Sequence, residues 1–170
     1  MNSSEKVLLG IDPGTVITGY ALIKKEKSTY IPLDFGCITP PKKDPLSNRY
    51  HIIFQSLCHL IEQHRPHEVA TETPFVYENP QTAIKLGGAL ACVMIAAKKY
   101  SLPIFGYEPR KVKRGITGTG SATKEDVAMF IQASLGLQSH QFRSDVTDAI
   151  SIALYHAMHA DMNLGKNTEL

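Results

Sequence analysis

Apolar positions along the chain predict strands first and an alternation of strands and helices later. Residues 7–11 form an almost unbroken apolar run that ends at Asp12 in a Pro-Gly turn, typical of a buried strand. Two further runs, 19–25 and 30–39, are separated by a short charged turn and predict an antiparallel meander. Pro32 cannot donate a hydrogen bond to a sheet, so we expect the third strand to lie at an edge.

From residue 46 onward, helical patterns alternate with short strand patterns. Apolar residues recur at spacings of three and four from 46 to 64, which predicts an amphipathic helix that stops before Pro66. Short strands at 68–72 and 103–107 flank a second long helix at 79–100, rich in Ala and Gly. This alternation predicts parallel pairing in the second part of the sheet.

Two helix start signals follow in the last third of the chain. Thr123 is placed to cap a helix at 124–135, and Ser144 is placed to cap a final helix at 145–159. The segment 115–123 is rich in Gly, Thr and Ser, and we predict a loop there.

Composition supports a single globular domain. The chain has 170 residues, 43% hydrophobic and 20% charged, with a formal net charge of +2, which excludes disordered and collagen-like chains. We expect one domain over residues 1–161 and a flexible tail at 162–170. The longest apolar stretch, 87–97, is shorter than the roughly 20 residues of a bilayer span, and no signal-peptide pattern is seen. With three cysteines and no CxxC pair, we expect a reduced, cytoplasmic protein and no membrane partner.

Four acids occur within otherwise apolar patterns. Asp12 and Glu72 each end a predicted buried strand, and Asp145 and Asp148 share one face of the apolar last helix. Because parallel strands end at the same edge of a sheet, Asp12 and Glu72 can converge there, and a packed helix can add the Asp pair. Carboxylates without His or Cys favour Mg²⁺ or Mn²⁺. Two such ions about 4 Å apart stabilise the attacking and leaving oxygens in phosphodiester cleavage.

These residues also have ordinary structural interpretations. An Asp before Pro-Gly is a common turn residue, and Glu72 can be a solvated strand end. Asp145 lies in the first helical turn, where an acid suits the helix dipole. His156, two turns beyond Asp148, can approach the site, although packing is the commoner role of such a histidine.

A basic segment follows the fifth predicted strand. Residues 110–124 contain five cations and no acid, a local +5 against +2 overall, which indicates a phosphate-binding strip. The candidate DNA-binding residues of this segment are Arg110, Lys111, Lys113, Arg114, Ser121 and Lys124. Phe75, in a polar loop, is a candidate for stacking on unpaired bases. The alternatives are a solvated charge run and an aromatic residue that anchors its own loop.

Motifs in order along residues 7–158 resemble the RuvC family of Holliday-junction resolvases. They are Gly-Ile-Asp-Pro-Gly at 10–14, Thr-Gly-Tyr at 18–20, Ala-Thr-Glu at 70–72 with Phe75, Lys-Leu-Gly at 85–87, Val-Lys at 112–113, Gly-Thr-Gly-Ser-Ala at 118–122 with Lys124, and the segment 144–153. Two departures are Gly-Gly-Ala-Leu-Ala at 87–91, where the family usually has Gly-Gln-Ala-Arg-Gly, and the acid of Tyr77-Glu78.

The resemblance implies an α/β, ribonuclease H-like fold: a five-stranded mixed sheet, its first three strands antiparallel, with helices on both faces. It also implies that Asp12, Glu72, Asp145 and Asp148 are the catalytic acids and hold two Mg²⁺ ions, which Mn²⁺ can replace. Lys113 and Lys124 match family lysines near the scissile phosphate, and Phe75 matches an aromatic that stacks near the crossover.

The implied activity is the resolution of four-way DNA junctions by paired symmetric nicks that leave 5′-phosphate and 3′-hydroxyl ends, in recombination and repair. The implied partners are a second copy of the chain and the RuvA–RuvB branch-migration complex. The Ala/Gly-rich helix permits close packing against a partner helix or, alternatively, against its own sheet.

Two other function classes fit part of the pattern. The segment 10–15 also looks like the phosphate-binding turn of the actin and sugar-kinase superfamily, but 170 residues leave no space for that family's second lobe. A non-catalytic nucleic-acid-binding module of the same fold, or a related nuclease that prefers RNA or flaps, is the other alternative. Mg²⁺-dependent nicking of junctions distinguishes these classes.

Overall fold

The computed structural model describes residues 5–73, 80–137, 142–159 and 170. The elements are, in chain order, β1 (Lys6–Asp12), β2 (Thr18–Glu26), β3 (Thr29–Ile38), α1 (Leu46–His64), β4 (Glu68–Glu72), α2 (Pro80–Lys99), β5 (Ile104–Tyr107), α3 (Pro109–Thr117), α4 (Lys124–Leu135) and α5 (Ser144–His159).

A five-stranded mixed sheet with the order β3-β2-β1-β4-β5 forms the centre of the molecule. The pairs β1–β2 and β2–β3 are antiparallel, whereas β1–β4 and β4–β5 are parallel. This confirms the predicted antiparallel start and parallel continuation of the sheet. β3 lies at an edge, as Pro32 predicts, and its register with β2 shifts between Leu22 and Ile23.

Alternating side chains of the strands build one apolar core on each face of the sheet. Leu9 and Ile11 join the core that packs against α1 and α2. Ala21 and Ala70 join the second core, which packs against α3, α4 and α5. The helices therefore cover both faces, and the three C-terminal helices cover the face toward which the even-numbered side chains of β1 and β4 point.

The starts of α4 and α5 lie at or next to the two predicted capping residues. Thr123 and Asp126 form a reciprocal capping box at the start of α4, with the Thr123 backbone N–H donating to Asp126 Oδ2 at 2.8 Å. α5 begins at Ser144 itself, one residue before the predicted start.

The predicted loop at 115–123 is wrong at its beginning, because α3 extends to Thr117. Only Val112 and Ile116 of α3 are buried, and two apolar positions in nine residues were too weak a pattern to reveal the helix. The usable signals were Pro109 at the first turn and Gly118, which ends the helix with φ 83°.

α2 has apolar residues on both its buried and its exposed sides. By length and composition it could cross a membrane. One side of it is nevertheless buried in the core that α1 also covers, through Ala89, Cys92, Val93, Ala96 and Ala97. Ile84 and Ile95 on α2 are 73% and 60% exposed. α2 is thus a core helix that also presents apolar side chains on its outer surface.

Candidate active site

Asp12 and Glu72 lie side by side at the carboxyl edge of the sheet. Ile11 pairs with Thr71 in the parallel ladder, so the next residue on each strand is one of the two acids. Neighbouring strands are about 4.8 Å apart. Asp12 lies two residues after Gly10 on β1, and Glu72 lies two residues after Ala70 on β4. Because every second side chain of a strand points to the same face, both acids point to the face that α5 covers.

Two glycines allow α5 to bring its own acids to this edge. A Cβ atom at Gly19, the sheet partner of Asp12, would clash with the backbone oxygen of Asp145. A Cβ atom at Gly10 would lie 2.6 Å from the backbone oxygen of Ala149. The start of α5 therefore rests directly on the sheet beside Asp12, and a larger residue at either glycine would push the helix away.

The charges of the acids interact, which shows that they share one electrostatic environment. Burial, together with the charges of Glu72, Asp148 and Asp145, raises the pKa of Asp12 to about 8. Burial and the charge of Asp148 raise the pKa of Glu72 to about 7. Burial also raises the pKa of Asp148, with a contribution from Asp145. The edge therefore holds more negative charge than its surroundings neutralise.

Two lysines from separate helices face the same acids. The charge of Lys113, on α3, opposes the rise in the pKa of Glu72 and of Asp148. Lys124, the first residue of α4, likewise lowers the pKa of Asp148. The structure thus brings Lys113 and Lys124, predicted from the basic segment, close to the acids predicted from the strands and the last helix.

The other predicted DNA-binding residues that the structure describes lie on α3 and in the turn before α4. Arg110, Lys111 and Arg114 are exposed on α3. Ser121 is exposed in the turn before α4, where its hydroxyl lies 2.9 Å from that of Thr119. Phe75 lies outside the described residues. The exposed cations thus extend the positive charge of Lys113 along the outside of α3.

The turn after Asp12 is held by contacts that the sequence patterns did not reveal. The buried Thr18 hydroxyl donates to the Gly14 carbonyl oxygen at 2.7 Å. Arg49, from α1, donates through Nε to the Thr15 carbonyl oxygen at 2.8 Å, and its Nη2 donates to the same oxygen. No local sequence pattern marks the second contact, because Arg49 and Thr15 are 34 residues apart in the chain. These bonds fix the chain directly after Asp12.

We call the end of the sheet where β1 and β4 finish at Asp12 and Glu72 the acid edge. His156 lies away from it. It is 1% exposed, its Nε2 is 2.9 Å from Glu68 Oε2, and its Nδ1 is 2.7 Å from the Tyr107 hydroxyl. Glu68 begins β4, whereas Glu72 ends it. His156 is therefore a packed, hydrogen-bonded histidine at the opposite edge of the sheet.

The donor chemistry of the acid edge fits a hard divalent cation. Its four acids supply only carboxylate oxygens, which Mg²⁺ and Mn²⁺ prefer. The raised pKa values of Asp12 and Glu72 reflect negative charge that a cation would neutralise. Within the described ranges, no three Asp, Glu, His or Cys side chains are already gathered around one point as metal ligands.

The fold and this acid edge define a nuclease of the ribonuclease H-like class. The family profile of the crossover junction endodeoxyribonuclease RuvC matches residues 8–156, and the chain belongs to the RuvC family. A relative from Protochlamydia amoebophila is 45% identical over 155 residues, covering 91% of this chain and 92% of the relative. A relative from Marinobacter nauticus is 43% identical, covering 89% of this chain and 85% of the relative. Both carry the name crossover junction endodeoxyribonuclease.

A solved structure gives the same result for the fold. T. thermophilus RuvC in complex with a Holliday junction substrate superposes with a TM-score of 0.89 and 32% sequence identity, covering 97% of this chain and 99% of that one. The ribonuclease H-like fold and the assignment as an endodeoxyribonuclease are thereby confirmed.

Proposed function

We propose that this protein is a Mg²⁺-dependent endonuclease that resolves four-way DNA junctions by paired symmetric nicks. The observation that carries the proposal is the electrostatic coupling of Asp12, Glu72 and Asp148 at one sheet edge, beside Lys113. Family relatives named for crossover junctions, and a similar structure bound to a Holliday junction, support the substrate class.

The four acids come from two parts of the fold, the sheet and α5. Asp12 and Glu72 project from adjacent strands, and Asp145 and Asp148 project from one face of α5. We infer that these four carboxylates hold two Mg²⁺ ions, which Mn²⁺ can replace. When bound, the cations would activate a water molecule for attack on phosphorus and stabilise the departing 3′ oxygen, leaving 5′-phosphate and 3′-hydroxyl ends.

Lys113 and Lys124 provide positive charge beside the acids that does not depend on a bound metal ion. Each ammonium group can neutralise charge that develops on the phosphate during cleavage. The exposed cations of α3, together with the Ser121 hydroxyl, bind the phosphates on either side and orient the junction, with most selectivity coming from backbone shape. Phe75 is proposed to stack on bases near the crossover.

A second copy of the chain completes the proposed enzyme. The exposed Ile84 and Ile95 mark an apolar outer face on α2. A Cβ atom at Gly87 would meet no described atom within 4 Å, so a partner helix can approach closely there. A C₂ dimer through α2 would carry two acid edges, which suits two symmetric nicks.

The cellular setting of the proposal follows from the family. We infer a cytoplasmic protein that acts in DNA recombination and repair, together with the RuvA–RuvB branch-migration complex. Physical association with RuvA–RuvB loaded on a junction is the test of this partner.

A cleavage assay tests the activity. Mobile four-way junctions and linear duplex of the same sequence are incubated with the protein, with and without Mg²⁺. We expect paired nicks in the junction only, and only with Mg²⁺. Equal cleavage of the linear duplex, or cleavage in EDTA, would contradict the proposal.

The oligomeric state tests the α2 interface. Ile95→Glu is expected to convert a dimer in solution into a monomer, because it buries a charge in an apolar contact. Met129→Glu, at a residue on α4 that is 62% exposed, is the matched control and should remain dimeric. Mass measurement by light scattering distinguishes the two results, and a dimeric Ile95→Glu variant would exclude this interface.

A further inference from the structure

A partly buried polar network runs along the α5 face of the sheet, from the start of β1 and β4 toward the end of β5. Lys6 Nζ is 2.5 Å from Glu68 Oε1, and His156 Nε2 is 2.9 Å from Glu68 Oε2. The other ring nitrogen of His156 is 2.7 Å from the Tyr107 hydroxyl. Tyr107 and His156 are each 1% exposed. We call this chain of contacts the anchor network.

Each member of the anchor network comes from an element that also supplies or leads to the acid edge. Lys6 begins β1, which ends at Asp12, and Glu68 begins β4, which ends at Glu72. The remaining two members belong to α5, which carries both aspartates, and to β5, which leads directly into the helix of Lys113. β1, β4 and α5 are thus joined at the ends remote from their acids, whereas β5 joins through Tyr107, its last residue and the sheet partner of Glu72.

Between these two ends, α5 packs on the sheet through apolar residues. α5 crosses β1 over Gly10, where its neighbours are the backbone of Ala149 and the side chain of Ala153. Contacts among Gly, Ala and aliphatic side chains are non-directional, so they bury surface without strongly fixing the position of a helix along its axis. Hydrogen bonds at fixed distances and angles supply that restraint.

We propose that the anchor network is the positioning device of the active site: by tying β1, β4 and α5 together at one edge, and linking them to Tyr107 beside Glu72, it sets the position along the sheet at which the acids meet. This inference rests on the proposed metal site. His156 lies roughly 12 Å from Asp148 along α5, and Tyr107, the sheet partner of Glu72, is 1% exposed. The members of the network are therefore positioning residues and contact neither substrate nor metal.

The hydrogen-bond roles follow from the chemistry of the partners. The bonds from His156 and Lys6 hold the pKa of Glu68 at about 2, so Glu68 is an acceptor, and His156 Nε2 donates to it. With a neutral imidazole, Nδ1 accepts from the Tyr107 hydroxyl. Removing that hydroxyl leaves a buried ring nitrogen without this donor, while the ring of Tyr107 still fills its place.

Two conservative variants test the network. Tyr107→Phe removes one hydroxyl, and Glu68→Gln removes one charge. The control is Tyr155→Phe, because the Tyr155 ring packs edge to face on Tyr107 at 5.0 Å and its hydroxyl lies outside the network. All proteins are compared at a temperature at which each is fully folded by circular dichroism.

The first readout is Mn²⁺ affinity without DNA, measured from the free-Mn²⁺ paramagnetic resonance signal. We expect Tyr107→Phe and Glu68→Gln each to weaken Mn²⁺ binding roughly fivefold, and the double variant to lose less than the product of the two effects. The second readout is single-turnover cleavage at saturating junction, which should fall by a similar factor while junction affinity stays unchanged. Tyr155→Phe should match the wild type in every measurement.

The outcomes separate this inference from the proposed function. If the wild type neither binds Mn²⁺ nor cleaves junctions, the proposed metal site is wrong. If the wild type does both, and both network variants equal Tyr155→Phe in Mn²⁺ affinity and cleavage, the positioning role is wrong. A loss of junction affinity with unchanged Mn²⁺ affinity would also overturn it, because the network would then act on DNA binding.

Discussion

Glu68 and Glu72 are the same residue type on the same face of the same strand, yet their surroundings give them opposite electrostatic states. Hydrogen bonds from His156 and Lys6 lower the pKa of Glu68 to about 2. Burial and the charge of Asp148 raise the pKa of Glu72 to about 7. An acid that has its cations within the fold stabilises the fold, whereas an acid placed among other acids is left to bind a cation from solution.

The largest expected effect is on the acid edge itself. Asp12→Asn should reduce Mg²⁺-dependent junction cleavage by more than about a hundredfold, because one carboxylate of the proposed metal site is lost. Junction binding should persist, since the cations of α3 are unchanged. Cleavage rate and a gel-shift Kd measure the two properties, and Asp44→Asn, in the loop before α1, is the control. Near-normal nicking by Asp12→Asn would remove Asp12 from the metal site.

The next effect concerns the approach of α5 to the sheet. Gly19→Ala should destabilise the protein by about 2 kcal/mol and reduce cleavage further than stability alone explains, because α5 and its two aspartates must move. Gly120→Ala is the control, since a Cβ atom there lies 3.9 Å from the Arg110 carbonyl oxygen, an ordinary contact. Urea unfolding and cleavage at a temperature where both variants are folded provide the measurements. Equal stability of the two variants would contradict the close approach.

A Glu→Gln substitution should change the free energy of unfolding in opposite directions at the two glutamates of β4. Glu68→Gln should lower the free energy of unfolding at pH 7.5 by about 1–2 kcal/mol, because Lys6 and His156 lose a charged partner. Glu72→Gln should raise the stability of the metal-free protein, because it removes a repelled charge. Addition of Mg²⁺ should stabilise the wild type and have less effect on Glu72→Gln. Destabilisation by both substitutions would show that Glu72 already has its partners within the fold.

The pH dependence of stability separates the same two edges. The folded-state pKa of Asp12, about 8, lies above its ordinary value of about 4, so its stabilising contribution is complete below pH 4 and is lost as the pH rises through 8. The contribution of Glu68 is present above its ordinary pKa and is lost as the pH falls toward 2. We expect the metal-free protein to lose stability from about pH 5 to 8, and Asp12→Asn to show a smaller loss. A stability that rises over this range would contradict the assignment.

The smallest effect distinguishes two lysines of one helix. Lys113→Ala should slow cleavage about tenfold at saturating junction and raise the pKa of Glu72 further, because its charge opposes that rise. Lys111 is also exposed on α3. Lys111→Ala should weaken junction binding and reduce the slope of log Kd against log salt concentration by about one. Single-turnover rates and a salt series provide the comparison. Identical behaviour of the two variants would place Lys113 outside the catalytic edge.

Much of the fold was predictable because the strands and long helices bury regular apolar patterns. The predicted bounds of α1, β4 and α4 agree with the structure because strong periodicity coincides with clear end signals. α3 was missed because a short helix with two buried residues leaves almost no periodic signal, and Gly115 within it lowers helix propensity.

The candidate site was predictable in composition but not in geometry. The acids are recognisable because each interrupts an apolar pattern. Their convergence depends on Gly10 and Gly19, whose role is visible only when α5 lies on the sheet. The partners of His156 come from residues 88 and 49 positions away in the chain. No local pattern can reveal such a pairing, and only the topology brings Glu68, Tyr107 and His156 together.

Metal binding at the acid edge is the central claim, and anomalous diffraction from crystals soaked in Mn²⁺ tests it most directly. We predict anomalous peaks within bonding distance of the carboxylates of Asp12, Glu72 and at least one of the α5 aspartates, at an Mn²⁺ concentration that supports junction cleavage. Mn²⁺ found only elsewhere on the protein at that concentration, with these carboxylates left unbound, would contradict the account.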